Sequence, residues 1–121
     1  MTDADRHVLE ARSAQQWESW LEDNHDSAAE VWLRLYNKTS GDVPLSYAEA
    51  VETALCFGWI DSLARRHDDV SRIQRFSPRK PRSAWSKSNV ERVLRLVQAG
   101  RMREPGQRHV DAARADGRWP T

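Results

Sequence analysis

The chain of 121 residues contains a single cysteine, Cys56. One cysteine excludes an intrachain disulfide and any metal site built on paired thiolates. Cys56 lies in the apolar run Ala54-Leu55-Cys56-Phe57. This setting is typical of a buried structural thiol rather than a nucleophile.

Long apolar runs are also missing. No apolar stretch approaches the roughly 18 residues that a membrane helix requires. The chain opens with MTDADRHV, which has no apolar segment suited to a signal peptide. We therefore expect a cytoplasmic protein without membrane insertion, and the length favours one domain over residues 1–121.

Several catalytic and cofactor motifs are absent. The sequence has no phosphate-binding P-loop, no dinucleotide fingerprint and no G-x-S-x-G elbow. The histidines at positions 7, 25, 67 and 109 are far apart, and none pairs with a second histidine and a glutamate at zinc-helix spacing. The sequence predicts no metal and no cofactor.

Charge is nearly balanced in total but unevenly distributed. The 19 lysines and arginines and 18 aspartates and glutamates give a net charge of +1. Residues 1–64 carry 4 basic and 12 acidic side chains, whereas residues 65–95 carry 10 basic and 3 acidic ones. Either the two regions neutralise each other in the fold, or the second forms a cationic surface for an anionic ligand.

Apolar periodicity and capping residues predict the elements in the order β-α-β-α-β-β-α-α. The predicted strands span residues 7–11, 30–36, 59–64 and 70–77. The predicted helices begin after Ser13, after Ser46 and after Ser86 or Ser88, with a fourth at 104–115. Val90, Val93, Leu94 and Val97 form the expected apolar stripe of the third helix. The order indicates an α+β fold, in which about four helices pack on a small, mostly antiparallel sheet of about four strands.

The strongest candidate site is the loop from Arg75 to Lys87, which holds five cations and three serines and leads into a helix. Backbone N–H groups at a helix start favour an anion, and arginine offers a planar fork that fits phosphate or carboxylate. A solvated basic loop is the alternative. The candidate ligand-binding residues are Trp59, Asp61, Arg65, Arg75, Arg79, Lys80, Arg82, Ser83, Trp85, Ser86 and Lys87.

Asp61 is a carboxylate beside the bulky apolar residues Trp59 and Ile60. A buried carboxylate must be paired or protonated, and the sequence offers Arg65 or Arg75 as its partner. One interpretation makes Asp61 half of an ion pair that fixes the hairpin. The other makes it a ligand-orienting group or a general base, and it is a weak catalytic candidate.

The runs C-F-G-W-I-D at 56–61 and R-F-S-P-R-K-P-R-S-A-W-S at 75–86 resemble the YdeI/OmpD-associated family, also labelled bacteriocin-protection proteins. Further similarity lies at residues 13–17, 31–33, 45–51 and 113–119, so the resemblance covers about 9–119. It implies an uncharacterised bacterial protein with no accepted catalytic residues. Longer relatives continue into another helical segment, so this chain resembles a short form. One hypothesis is that the missing segment leaves apolar surface exposed, which a homodimer would cover.

Three functions follow as hypotheses. The first is a small binding module that takes an anionic ligand or an acidic protein surface on the loop, with Asp61 and Arg65 organising the pocket. The second is an enzyme acting on a phosphorylated or carboxylated small molecule, with Asp61 as base and Ser83 or Ser86 near the anion. The third is a nucleic-acid-associated protein, which the acidic first half and a pI near 8.0 disfavour.

Overall fold

A computed structural model describes residues 8–120, and within that range it has four helices and four strands. In chain order they are β1 (Val8–Leu9), α1 (Ala14–Asn24), β2 (Val31–Tyr36), α2 (Tyr47–Cys56), β3 (Trp59–Arg66), β4 (Ser71–Pro78), α3 (Lys87–Gln98) and α4 (Glu104–Ala115), with a short 3-10 turn at Lys38–Ser40. The predicted α+β class and element order are confirmed. His7, assigned to the first strand, lies outside the described residues.

The strands form one open sheet in the order β1-β2-β4-β3. The strand β1 is parallel to β2, whereas β4 is antiparallel to both β2 and β3. The sheet is therefore mixed but mostly antiparallel, as predicted. β3 runs to Arg66, two residues beyond the prediction, because the hairpin ladder continues to the pair Arg66 and Arg72.

A bulge interrupts the pairing of β3 with β4. The register passes from Asp61 opposite Phe76 to Ala64 opposite Gln74, so Ser62 and Leu63 bulge out. The Gln74 amide donates to the carbonyl oxygens of both bulged residues, at 3.2 and 3.3 Å. This side chain satisfies acceptors that the disrupted ladder leaves without a partner.

The helix starts follow the capping residues. The Ser46 hydroxyl accepts from the Glu49 N–H while the Glu49 carboxylate accepts from the Ser46 N–H, a complete capping box. The Ser13 hydroxyl likewise accepts from the Gln16 N–H. The Gln16 side chain, however, accepts from the Arg12 N–H, so only half of a capping box forms there.

Aromatic side chains fill the core between the sheet and the helices. Trp17 is fully buried, stacks on Trp20 at 5.7 Å and meets Phe76 edge-on at 5.2 Å. Its indole N–H donates to the Ala50 carbonyl at 2.9 Å, which links α1 to α2. Trp59 is also buried, and its indole N–H donates to the His25 carbonyl at the end of α1.

The apolar stripe predicted for α3 is partly wrong. Val90, Val93 and Leu96 are buried, whereas Leu94 and Val97 are 49% and 46% exposed. The apolar residues cover a broad arc of this helix, so periodicity does not decide which side of the arc packs against α2. The packed side is the one that carries Leu96.

The C-terminal helix α4 packs very closely on the end of α2. A methyl group added at Gly106 would lie 2.4 Å from the Cys56 carbonyl oxygen. Val110 and Ala113 are buried on the same helix. After the turn at Gly117 the chain folds back, and the Trp119 ring lies 5.0 Å from that of Trp85.

Candidate functional site

The loop between β4 and α3 is anchored to the turn between α2 and β3. The Arg79 N–H donates to the carbonyl of Gly58, and Gly58 has a φ of 76° that suits glycine. Within the loop, the Ser83 N–H donates to the Lys80 carbonyl and closes a turn. Arg82, inside that turn, has a φ of 67°, an uncommon conformation for a side-chain-bearing residue. The loop is thus a constrained segment rather than a free basic tail.

Arg79 is the unusual residue of this loop, because its side chain is buried. It is only 6% exposed, and its guanidinium carbon lies 3.9 Å from the centroid of the Trp85 ring. One Nη donates to the Ala84 carbonyl at 3.0 Å, but Nε has no hydrogen-bond partner. Within residues 8–120 no carboxylate pairs with it. Burial, with a smaller effect of the Arg118 charge, lowers the pKa of Arg79.

Residues of the segment after α4 contact this loop from its other side. Arg118 donates from Nη1 to the Ser83 carbonyl at 2.9 Å and from Nε to both carboxylate oxygens of Asp116 at 2.8 Å. The Arg114 guanidinium lies over the Trp119 ring at 5.1 Å. Two aromatic rings, tilted by 58° to each other and flanked by two cations, therefore join the two segments; the four residues are Arg79, Trp85, Trp119 and Arg114.

A cleft of about 510 Å³ opens beside the loop. One face of α4 forms a wall, since its lining positions 105, 108, 109 and 112 follow helical spacing. The lining residues are His25, Asp26, Phe57, Gly58, Trp59, Pro78, Pro81, Arg82, Pro105, Arg108, His109, Ala112, Asp116 and Arg118.

The cleft is electropositive. Arg82 and Arg108 form no salt bridge with any carboxylate of the described chain, whereas Arg118 is paired with Asp116. That pairing lowers the pKa of Asp116. The pKa of His109 is also lowered, first by burial and then by the charges of Arg79, Arg108 and Arg118. The buried charge of Arg79 therefore acts on a group in the cleft, although Arg79 does not line it.

The lowered pKa of His109 predicts a pH dependence of stability. Below the ordinary pKa of 6.5 the unfolded chain binds a proton that the folded chain binds less readily. The free energy of unfolding should therefore be unaffected by His109 above pH 6.5. It should decrease as the pH falls from 6.5 through the lower pKa of folded His109. We expect urea midpoints measured between about pH 5 and 7.5 to show this slope and His109→Gln to reduce it. An unchanged slope in His109→Gln would contradict the assignment.

The structure brings together only some of the candidate ligand-binding residues. Trp59 and Arg82 line the cleft, while Arg79, Ser83 and Trp85 lie behind it in the contacts described above. The Ser86 hydroxyl caps α3 by accepting from the Asn89 N–H. Lys80 and Lys87 are exposed and do not line the cleft.

The expected ion pair of Asp61 with Arg65 or Arg75 is wrong. Asp61 accepts instead from the Tyr47 hydroxyl, and burial followed by this hydrogen bond raises the pKa of Tyr47 to about 12. Arg75 pairs with Glu30 at 3.3 Å. Pairing opposite charges within the β3–β4 hairpin did not predict either contact, because Tyr47 belongs to α2 and Glu30 to the segment before β2.

Asp61, Arg65 and Arg75 therefore do not contribute to the cleft. Arg65 lines a smaller cavity of about 330 Å³ at the far end of the hairpin, with Arg66 and Arg72. Asp61 lies opposite Phe76 in the sheet and does not line either cavity. The predicted pocket, in which Asp61 and Arg65 organise the loop cations, does not form.

Sequence reasoning missed six polar residues of the cleft, which are His25, Asp26, Arg108, His109, Asp116 and Arg118. Arg118 belongs to the run Gly117-Arg118-Trp119, in which a helix-ending glycine followed by a tryptophan is a signal that the chain reverses and returns to the loop. His25 and Arg108 carried no comparable local signal, because they reach the cleft only through the packing of α1 and α4.

No group of three histidine, cysteine, aspartate or glutamate side chains in the described range is arranged to hold a metal ion. Among residues 8–120, no helix has the length and apolar character needed to cross a membrane.

Fold and site together define a small α+β protein with an arginine-lined cleft beside a tightly constrained loop. The chain belongs to a family described as a domain of unknown function (DUF8412), whose model matches residues 9–109. That range includes most of the sheet, the loop and the first half of α4. Searches of curated proteins and of solved structures found no match.

Proposed function

We propose that this protein is a binding module for an anionic ligand, which it holds in the cleft. The observation that carries the proposal is the buried guanidinium of Arg79, which has no carboxylate partner among the described residues and lies behind a cleft with two unpaired arginines, Arg82 and Arg108. A buried cation without a carboxylate partner is costly, and proteins commonly retain such groups at functional sites.

An anion in the cleft would lower this electrostatic cost. It would interact favourably with Arg82 and Arg108 directly and with Arg79 through space. Arginine suits the role because its guanidinium binds carboxylate or phosphate with two parallel hydrogen bonds. The same cations also suit an acidic side chain on a protein partner, which is the other partner class the sequence favours.

Binding is a better proposal than catalysis because the candidate catalytic groups are engaged elsewhere. Asp61 is bonded to Tyr47 and does not line the cleft, and the Ser86 hydroxyl caps α3. A concave site also favours a small ligand over a nucleic-acid strand. The YdeI/OmpD resemblance and a cytoplasmic location stay predictions on which this proposal does not depend.

Arg82→Gln and Arg108→Gln are the direct tests. A hydrogen bond to a charged group contributes about 1.5–3 kcal/mol, so each substitution should weaken anion binding about tenfold or more. Calorimetric titration with phosphate, sulfate, acetate and benzoate would measure this effect. Lys80→Gln is the matched control, because Lys80 is an exposed cation of the same loop that does not line the cleft. Equal losses in all three variants would indicate general charge screening and contradict a site in the cleft.

A further inference from the structure

We propose that the cleft selects an organic monoanion whose body is a flat apolar ring system, such as an aryl carboxylate. This inference rests on the proposed function and names the class of ligand. It depends on the composition of the walls, on the size of the cleft and on its charge balance.

The walls are mostly apolar. Three prolines, Pro78, Pro81 and Pro105, line the cleft from two different segments, together with Ala112 of α4. Phe57 and Trp59 also line the cleft, although both residues are almost fully buried. Such a surface gains little from a hydrated inorganic ion but gains from an apolar group that displaces its water.

The cleft is also too large for an inorganic anion. Its volume of about 510 Å³ lies within the range of about 300–1,000 Å³ that is usual for small-molecule sites. A water molecule takes up about 30 Å³ in the liquid, so the cleft would hold on the order of 15 waters. A phosphate ion displaces only a few of these, whereas a fused aromatic ring system displaces several times as many.

The charges of the lining favour a single negative group. Arg118 is already neutralised by Asp116, which leaves Arg82 and Arg108 as the unpaired cations of the lining. Asp26 also lines the cleft and makes no salt bridge with a cation of the described residues. A polyanion would be repelled by Asp26, whereas a single carboxylate matches the guanidinium fork of Arg82 or Arg108.

Calorimetry with acetate, benzoate, 2-naphthoate and inorganic phosphate tests this inference at fixed pH and ionic strength. Burial of apolar surface contributes about 25 cal/mol per Å², so the affinity should rise from acetate to benzoate to naphthoate, by about 50-fold in total. Phosphate should bind no more tightly than benzoate.

Ala112→Leu probes the wall without changing a charge. Ala112 is exposed and lines the cleft, so the larger side chain should fill ligand space and weaken naphthoate about tenfold while leaving phosphate affinity unchanged. Ala115→Leu, on the same helix but outside the lining, is the matched control and should bind both ligands normally. Thermal melts would check that both variants fold like the parent.

The outcomes separate the two proposals. If phosphate binds and loses affinity in Arg82→Gln, but the aryl acids bind no more tightly than acetate, the ligand class is wrong and the anion site stands. If no anion binds above a general salt effect, the proposed function itself fails. If naphthoate binds equally well to Ala112→Leu and the parent, aryl recognition lies outside this cleft and the inference is overturned.

Discussion

Replacing Gly106 with alanine is expected to lower the free energy of unfolding by about 3 kcal/mol, although the same change in an ordinary helix interior stabilises by about 1 kcal/mol. The reason is the contact between α4 and the end of α2. An added Cβ would lie 2.4 Å from the Cys56 carbonyl oxygen and 2.5 Å from that of Leu55. Both atoms belong to the backbone, so neither can move aside by changing a rotamer.

Gly41→Ala is the control for this prediction. Gly41 has a φ of 83°, but no atom lies within 4 Å of the place that an added Cβ would take. Substitution of Gly41 therefore measures the cost of a positive φ at alanine without added steric crowding. It should lower the free energy of unfolding by about 1–2 kcal/mol. Urea denaturation of both variants and the parent gives the comparison. A Gly106→Ala protein as stable as the parent would mean that α4 does not pack against α2 at this distance.

The same substitution should disturb the cleft. α4 carries Pro105, Arg108, His109 and Ala112 along one wall, and crowding at Gly106 must shift the helix as a unit. Naphthoate or phosphate affinity should therefore fall in Gly106→Ala although no ligand-lining side chain has changed. Gly41→Ala should retain full affinity, because it lies in the loop before α2, outside the cleft.

Local signals in the sequence predicted most of the fold. The helix starts after Ser13 and Ser46 depend on capping residues only a few positions away, and both are present. The element order followed from the same short-range patterns. Such features can be predicted from the sequence because the backbone hydrogen bonds they involve are made with residues nearby in the chain.

Features that depend on long-range packing were missed or misjudged. The side of α3 that packs against α2 is one case, and the Tyr47 partner of Asp61 is another. The cleft joins residues near positions 25, 58, 80, 108 and 118, which only the tertiary fold brings together. The loop cations were recognised as unusual from composition, but composition did not reveal that one of them, Arg79, is buried.

Arg79 and Trp85 should show strong energetic coupling. We expect Trp85→Leu to lower the free energy of unfolding by about 3 kcal/mol, since a large buried aromatic is lost and the guanidinium of Arg79 stays buried without the ring that covers it. Arg79→Met should change stability by less than about 1 kcal/mol or raise it, because an apolar side chain of similar length removes an unpaired buried charge.

The double variant distinguishes this coupling from simple loss of packing. If the cost of Trp85→Leu comes partly from the uncovered cation, that cost should be smaller by about 1 kcal/mol in the Arg79→Met background. Additive effects would contradict the coupling.

Arg79→Met should also weaken anion binding while the fold keeps its stability, because the charge behind the cleft is gone. A functional buried arginine should be neutral or unfavourable for folding and yet required for binding. Replacing a purely structural arginine should instead lower the stability of the protein and leave the affinity unchanged.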